Sequence, residues 1–239
     1  GTCNPDSPFH WFKEFLDSDA DIYSQQYCID DNPFLDPAFV ANLKNEYEGT
    51  VYYDRFILGR WTIAEGLVYP MFQRDFHVTK TVPRPYQRYY ISADYGTQNP
   101  MSMGLWGLAD GRWYRMREYY YSGRQTGKQK TDEEYYDSLV QLAGSLHITS
   151  VIIDPSAASF IACIKKHGKF PVKKADNEVL SGIQNVATLL KKGKIFINDC
   201  CKDAIKEFQV YSWDPKAKED KPIKENDHAM DDIRYFVNT

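Results

Sequence analysis

The sequence has no Cys-x-x-Cys pair, no Gly-x-x-x-x-Gly-Lys-Ser/Thr loop, and no apolar run near the ~20 residues that a membrane helix needs. Each absence removes a class of function. The cysteines Cys3, Cys28, Cys163, Cys200 and Cys201 stand at irregular spacing, and the adjacent Cys200-Cys201 is not a zinc-ligand spacing. They read as reduced thiols, most of them packing residues, and a structural zinc is not expected. Gly123-Arg124-Gln125-Thr126-Gly127-Lys128-Gln129 holds a Gly-Lys step but neither the spacing nor the hydroxyl of a phosphate loop. No ATP-binding residues are therefore expected. Gly1-Thr2-Cys3-Asn4-Pro5-Asp6 has neither the charged nor the apolar stretch of a signal peptide, and a start without Met predicts a fragment or a processed chain.

What is present is ordinary in bulk and uneven in detail. The 239 residues suffice for one large domain, or one domain with an attached piece, and 43% apolar with 26% charged residues is the balance of a globular chain. A net charge of -4 argues against coating nucleic acid by bulk electrostatics. Residues 1–50, however, carry ten acids against Lys13 and Lys44, whereas residues 161–206 carry ten lysines against Asp176, Glu178, Asp199 and Asp203. That basic segment has the charge to face a phosphate backbone, or simply to solvate amphipathic helices.

Residues 1–62 read as a small, mainly helical piece. Asp36 is placed to cap a helix that Pro37 opens, with Phe39, Val40, Leu43 and Tyr47 at helical spacing and Gly49 as its stop. A short helix is expected over 51–58, and the prolines of 62–88 predict an extended connector. Residues 63–239 read as an α/β domain. Strands are expected over 89–94, 102–109 and 113–121, the last two joined by an Asp110-Gly111 hairpin turn. A helix over 132–146 and a buried strand over 151–153 follow, then helices over 157–167, 179–192 and 201–211, with short strands near 171–173 and 195–197. Tyr119-Tyr120-Tyr121 fits a strand with aromatics on both faces better than a base-stacking platform. Residues 212–226 are lysine-rich and predict a hairpin or mobile loop, and a last helix opens near Asp227. Three antiparallel strands followed by alternating helices and strands imply a mixed sheet flanked by helices.

Three acids stand at element ends. Asp94 closes a strand before Gly96, Asp154 closes another before Pro155, and Asp231 lies in the first turn of the last helix with His228 three residues earlier. Each alone has a common use as a turn or helix cap. Together they can supply the oxygen ligands that hard divalent ions require, and ligands of open α/β sheets gather beyond strand ends.

Ala93-Asp94-Tyr95-Gly96, Ile152-Ile153-Asp154-Pro155-Ser156-Ala157 and Asp227-His228-Ala229-Met230-Asp231-Asp232-Ile233-Arg234-Tyr235 resemble, in order, the nuclease domain of tailed-phage large terminase subunits. Gly1-Thr2-Cys3-Asn4-Pro5 and Ser7-Pro8-Phe9-His10-Trp11 resemble the coupling motif near the end of the terminase ATPase domain. The resemblance implies a ribonuclease H-like fold over 63–239, with 1–62 as the remnant of the ATPase domain and linker helices. It implies an endonuclease that cuts concatemeric double-stranded phage DNA in the cytoplasm of the bacterial host, with portal protein and small terminase subunit as partners. Asp94, Asp154 and Asp231 would hold two Mg²⁺ or Mn²⁺ ions, Asp94 bridging both, with His228 assisting proton transfer. Two such ions clamp the attacking and leaving oxygens of a displacement at phosphorus. Lys165, Lys166, Lys218 and Lys221 are the expected DNA contacts. Asp232 departs from a common Ala and is turned about 100° from Asp231 on a helix, outside the expected ligand set. A junction resolvase or transposase of the same fold, or a non-catalytic coupling module, are the competing readings.

Overall fold

A computed structural model describes residues 1–96 and 99–239. The chain forms two compact units, residues 1–71 with 212–223, and residues 72–211 with 224–239. The first unit extends to Met71 and also recruits a segment from far along the chain. The reason is a buried charge. Arg55 donates to the carbonyl of Thr62 (2.6 Å) and to Asp220 (2.9 Å), and its guanidinium also lies 3.0 Å from Asp6. A guanidinium out of water needs such partners.

The first unit is built from short pieces. Helices α1 (Trp11–Leu16) and α2 (Pro37–Tyr47) bury no described residue. The Asp36 carboxylate accepts from the amides of Ala38 and Phe39 at 2.7 and 3.2 Å, with Pro37 at the first position, as the capping pattern requires. The buried apolar residues are Tyr52, Ile57, Ala64, Val68, Tyr69 and Trp213. Residues 212–223 make bridges Leu67 to Ser212 and Trp213 to Pro222, and the Ser7 hydroxyl donates to the Lys218 carbonyl. Phe9, Trp11, Tyr23, Tyr27 and Phe34 are exposed.

The second unit contains α3 (Arg74–His77), β1 (Val78–Thr79), β2 (Arg88–Asp94), β3 (Met101–Ala109), β4 (Arg112–Tyr121), α4 (Gly123–Thr126), α5 (Asp132–Ala143), β5 (Ile148–Ile153), α6 (Ala158–His167), β6 (Val172–Lys174), α7 (Val179–Lys191), β7 (Ile195–Asn198), α8 (Lys202–Val210) and α9 (His228–Asn238). The seven strands form one mixed sheet in the order β1-β7-β4-β3-β2-β5-β6. Its antiparallel centre, β2 with β3 and β3 with β4, is flanked by the parallel pairs β2–β5, β5–β6, β4–β7 and β1–β7. The β3–β4 turn uses Asp110 and Gly111, both at positive φ, the backbone that a tight two-residue hairpin demands. The connector expected over 62–88 also contributes α3 and the edge strand β1, whose two residues are too short to leave a periodic signal.

Strand alternation sorts the two faces of the sheet. Ile91, Ala93, Met101, Met103 and Leu105 pack with Tyr135, Leu139, Phe160 and Ile164 of α5 and α6. Tyr90, Ser92, Ser102, Gly104 and Trp106 point the other way, toward α9. Trp106 stacks on Phe236 at 4.3 Å and 5°, a contact worth about 1 kcal/mol beyond its area. The tyrosine run follows the same alternation. Tyr120 donates to Glu207 of α8 (2.7 Å), while Tyr119 and Tyr121 meet the edge of Tyr135 on α5.

Candidate active site

Asp94 is the last residue of β2 and Asp154 the first beyond β5. The two strands are parallel and adjacent, with Ala93 opposite Ile153, so both acids leave the sheet at neighbouring carboxyl ends. Asp154 also closes its own turn. Its carboxylate accepts from the Ser156 amide (2.6 Å) and from Asn177 (3.1 Å), and the Tyr235 phenol adds a further hydrogen bond. Burial works against the charge, but these hydrogen bonds outweigh it and hold the Asp154 carboxyl below its ordinary value.

Helix α9 supplies the rest. Asp227 stands at its N-cap position, but its side chain makes no capping hydrogen bond. The carboxylate of Glu207 from α8 caps the helix instead, accepting from the amides of Ala229 (2.7 Å) and Met230 (3.2 Å). A buried acid on a different helix thus satisfies the free amides and meets the positive end of the helix dipole. His228 and Asp231 then lie on one helix face, and His228 Nδ1 is 2.8 Å from Asp94 Oδ2. Asp231 is held by Arg234 (3.0 Å) and by Lys224 (3.2 Å), which also lies 3.4 Å from Asp227.

A polar cleft of about 480 Å³ opens there, lined by Asp94, Tyr95, Gly96, Asn99, Lys224, Asp227, His228 and Asp231. Burial pushes the Asp94 carboxyl up to about 6; the His228 hydrogen bond opposes the shift, and the charges of Asp231 and Asp232 add to it. His228 is raised in turn, because the hydrogen bond and charge of Asp94 outweigh its own desolvation. Burial raises the Tyr235 phenol, and the negative charges of Asp94, Asp231 and Asp154 raise it further. Crowded carboxyl groups with only oxygen donors, one of them kept from its ordinary ionisation, suit hard divalent cations, which relieve the repulsion by binding.

The neighbouring Asp232 has another task. It is fully buried and takes two hydrogen bonds from Arg115 of β4, one at 2.9 Å, together with the hydroxyls of Ser92 (2.8 Å) and Ser102. Burial works against the Arg115 charge, but the carboxylates of Asp232 and Glu118 outweigh it and keep the guanidinium protonated. Gly104 makes room for this pair, since a Cβ there would sit 2.6 Å from Arg115 Cζ. The network pins α9 to β2, β3 and β4, and so fixes Asp231 relative to Asp94.

Lys165 and Lys166 are exposed in the last turn of α6, Lys166 lying 3.2 Å from Glu133. Lys218 and Lys221 are exposed in the first unit. None of the four lines the cleft, and its lysine is Lys224. Glu207 was missed because its partners are backbone amides of a distant helix, which leave no mark in the sequence.

No family model matches the chain. The large terminase of the thermophilic bacteriophage D6E is 50% identical, with a TM-score of 0.93 over 99% of this chain and 62% of that one. The terminase large subunit of Escherichia phage T5 is 21% identical over 95% of this chain and 55% of its own length. The large terminase nuclease from thermophilic phage G20c, solved with bound magnesium, is 16% identical with a TM-score of 0.53 over 71% of this chain and 95% of that one. The last likeness is one of fold. The chain spans little more than half the length of the T5 and D6E proteins.

Proposed function

We propose, from the premise that this chain belongs to the large terminase family of phages, that it is the DNA-cutting part of such a protein, a metal-dependent endonuclease acting on concatemeric double-stranded DNA during genome packaging. The observation that carries this reading is the cleft that Asp94 and Asp231 line together, with His228 bonded to Asp94 and Asp154 at the neighbouring strand end beside it. The magnesium bound to the G20c nuclease supports Mg²⁺ or Mn²⁺ as the metal. Asp94, Asp154 and Asp231 would hold two such cations, which supply charge neutralisation at the phosphate and a nucleophile at neutral pH.

The chain's own groups do the rest. With Nδ1 donating to Asp94, the Nε2 of neutral His228 would be the atom that accepts a proton from water. Lys224 brings a positive charge into the cleft, where it can meet a phosphate oxygen. Arg234 braces Asp231, and Asn177 with Tyr235 braces Asp154, so that the acids meet a substrate without rearranging.

Residues 1–62 are, in this reading, the end of the ATPase domain with linker helices, and 63–239 the nuclease. Double-stranded DNA, a portal protein and a small terminase subunit are its partners in the host cytoplasm. Plasmid DNA with Mn²⁺ or Mg²⁺ tests the assignment. The wild-type chain nicks and linearises it, and Asp94→Ala does not. Asp94→Ala, Asp154→Ala and Asp231→Ala all cutting at the wild-type rate would remove the three acids from the site.

A further inference from the structure

On the sheet face opposite α9, α5 and α6 bring together three groups that the cleft does not use. Ligand atoms of Glu133, Cys163 and His167 all lie within 4.8 Å of one another. Cys163 and His167 are four residues apart on α6 and therefore share one helix face. Glu133 reaches them from the first turn of α5, with His167 Nε2 only 2.6 Å from its Oε2. The imidazole is held flat against Tyr136, one turn along α5 from Glu133, at a centroid distance of 3.9 Å and 9°. Lys166 occupies the other carboxylate oxygen of Glu133 and so leaves Oε2 to the cluster.

We propose that Glu133, Cys163 and His167 form a second metal site, for a borderline-soft divalent cation of the Zn²⁺ class, clipping the start of α5 to the end of α6. Sulfur, nitrogen and oxygen from three side chains, with Glu133 and His167 open to solvent for a fourth, aqueous position, match the donors and coordination number that Zn²⁺ accepts. The oxygen cleft and this cluster then select different ions, since a thiolate and an imidazole favour Zn²⁺ over Mg²⁺. Binding displaces the thiol proton to solvent, and affinity therefore rises with pH. The site spans two helices without any Cys-x-x-Cys, which is why spacing alone predicts no zinc.

Cobalt is the probe, because Co²⁺ in a site with a thiolate shows a sulfur-to-metal charge-transfer band in the near ultraviolet. The reduced, metal-stripped chain titrated with Co²⁺ develops this band; Zn²⁺ abolishes it and Mg²⁺ does not. Asp94→Asn keeps the band, which separates this site from the cleft. Cys163→Ser removes it. His167→Ala and Glu133→Gln, both at exposed positions that leave folding intact, weaken Zn²⁺ binding by about tenfold or more, at least the loss seen for groups that only orient a ligand. Absence of the band in the wild type overturns the proposal. So does a band that survives unchanged in Cys163→Ser, which would belong to Cys200 and Cys201, or in His167→Ala.

Discussion

Asp231 and Asp232 are consecutive residues of one helix, and the two sides of α9 give them opposite work. Asp231 faces a polar cleft, where Lys224 and Arg234 leave it within reach of solvent ions. Asp232 faces the sheet and is sealed there with Arg115, Ser92 and Ser102. A rotation of about 100° per residue is enough to separate a group that binds from a group that holds. The cleft side is under-neutralised, whereas on the sheet side the Asp232 carboxylate meets the Arg115 guanidinium and two hydroxyls. A site that must accept cations keeps spare negative charge, whereas a core cannot tolerate it.

The largest test of this contrast is on the cleft side. Asp94→Asn should lower DNA cleavage by about 10³-fold or more, the loss of several kcal/mol of transition-state stabilisation. Its thermal stability should not fall, because a neutral amide suits a position where burial already disfavours charge. Asp232→Ala should do the reverse, costing about 3–5 kcal/mol of stability by leaving the Arg115 charge buried and unpaired. Denaturant unfolding measures that loss, and the double variant Arg115→Met with Asp232→Leu should lose less than either single change. An Asp232→Ala protein of wild-type stability would erase the distinction between the two sides.

The next test concerns Glu207, which burial pushes up to about 7, against opposing hydrogen bonds from Tyr120, Met230 and Ala229. An acid raised in the folded state binds its proton more tightly there. Its contribution is therefore full below the unfolded value near 4.5 and is lost as pH rises toward 7, by up to about 3 kcal/mol. Melting temperatures from pH 4 to 8 should decline less steeply in Glu207→Gln than in the wild type. The smallest effect belongs to Gly104→Ala, whose methyl group would press on Arg115 and should cost about 1–3 kcal/mol, with calorimetry as the measure.

Much of this was legible in the sequence. Alternating apolar residues located β2, β3 and β4 to within a residue at each end, and Asp110-Gly111 gave the hairpin between them. The motifs around Asp94 and His228 named residues that the fold joins at 2.8 Å across most of the chain's second unit. What was illegible is long-range and polar. The Glu207 cap, the Asp232–Arg115 pair and the Arg55–Asp220 pair each join residues far apart in the chain, and a lone buried charge carries no periodicity.

The segment 212–223 gives the first unit a timetable. Arg55 leaves the ribosome long before Asp220, with residues 72–211 between the two halves of the unit they complete. At ~5–20 residues per second, a buried guanidinium must wait on the order of ten seconds for its carboxylate. Until then the early piece has little apolar core and a charge it cannot bury. The earlier-made unit is therefore closed only when the later-made one is nearly whole, and a chain stopped anywhere before residue 220 leaves both unfinished.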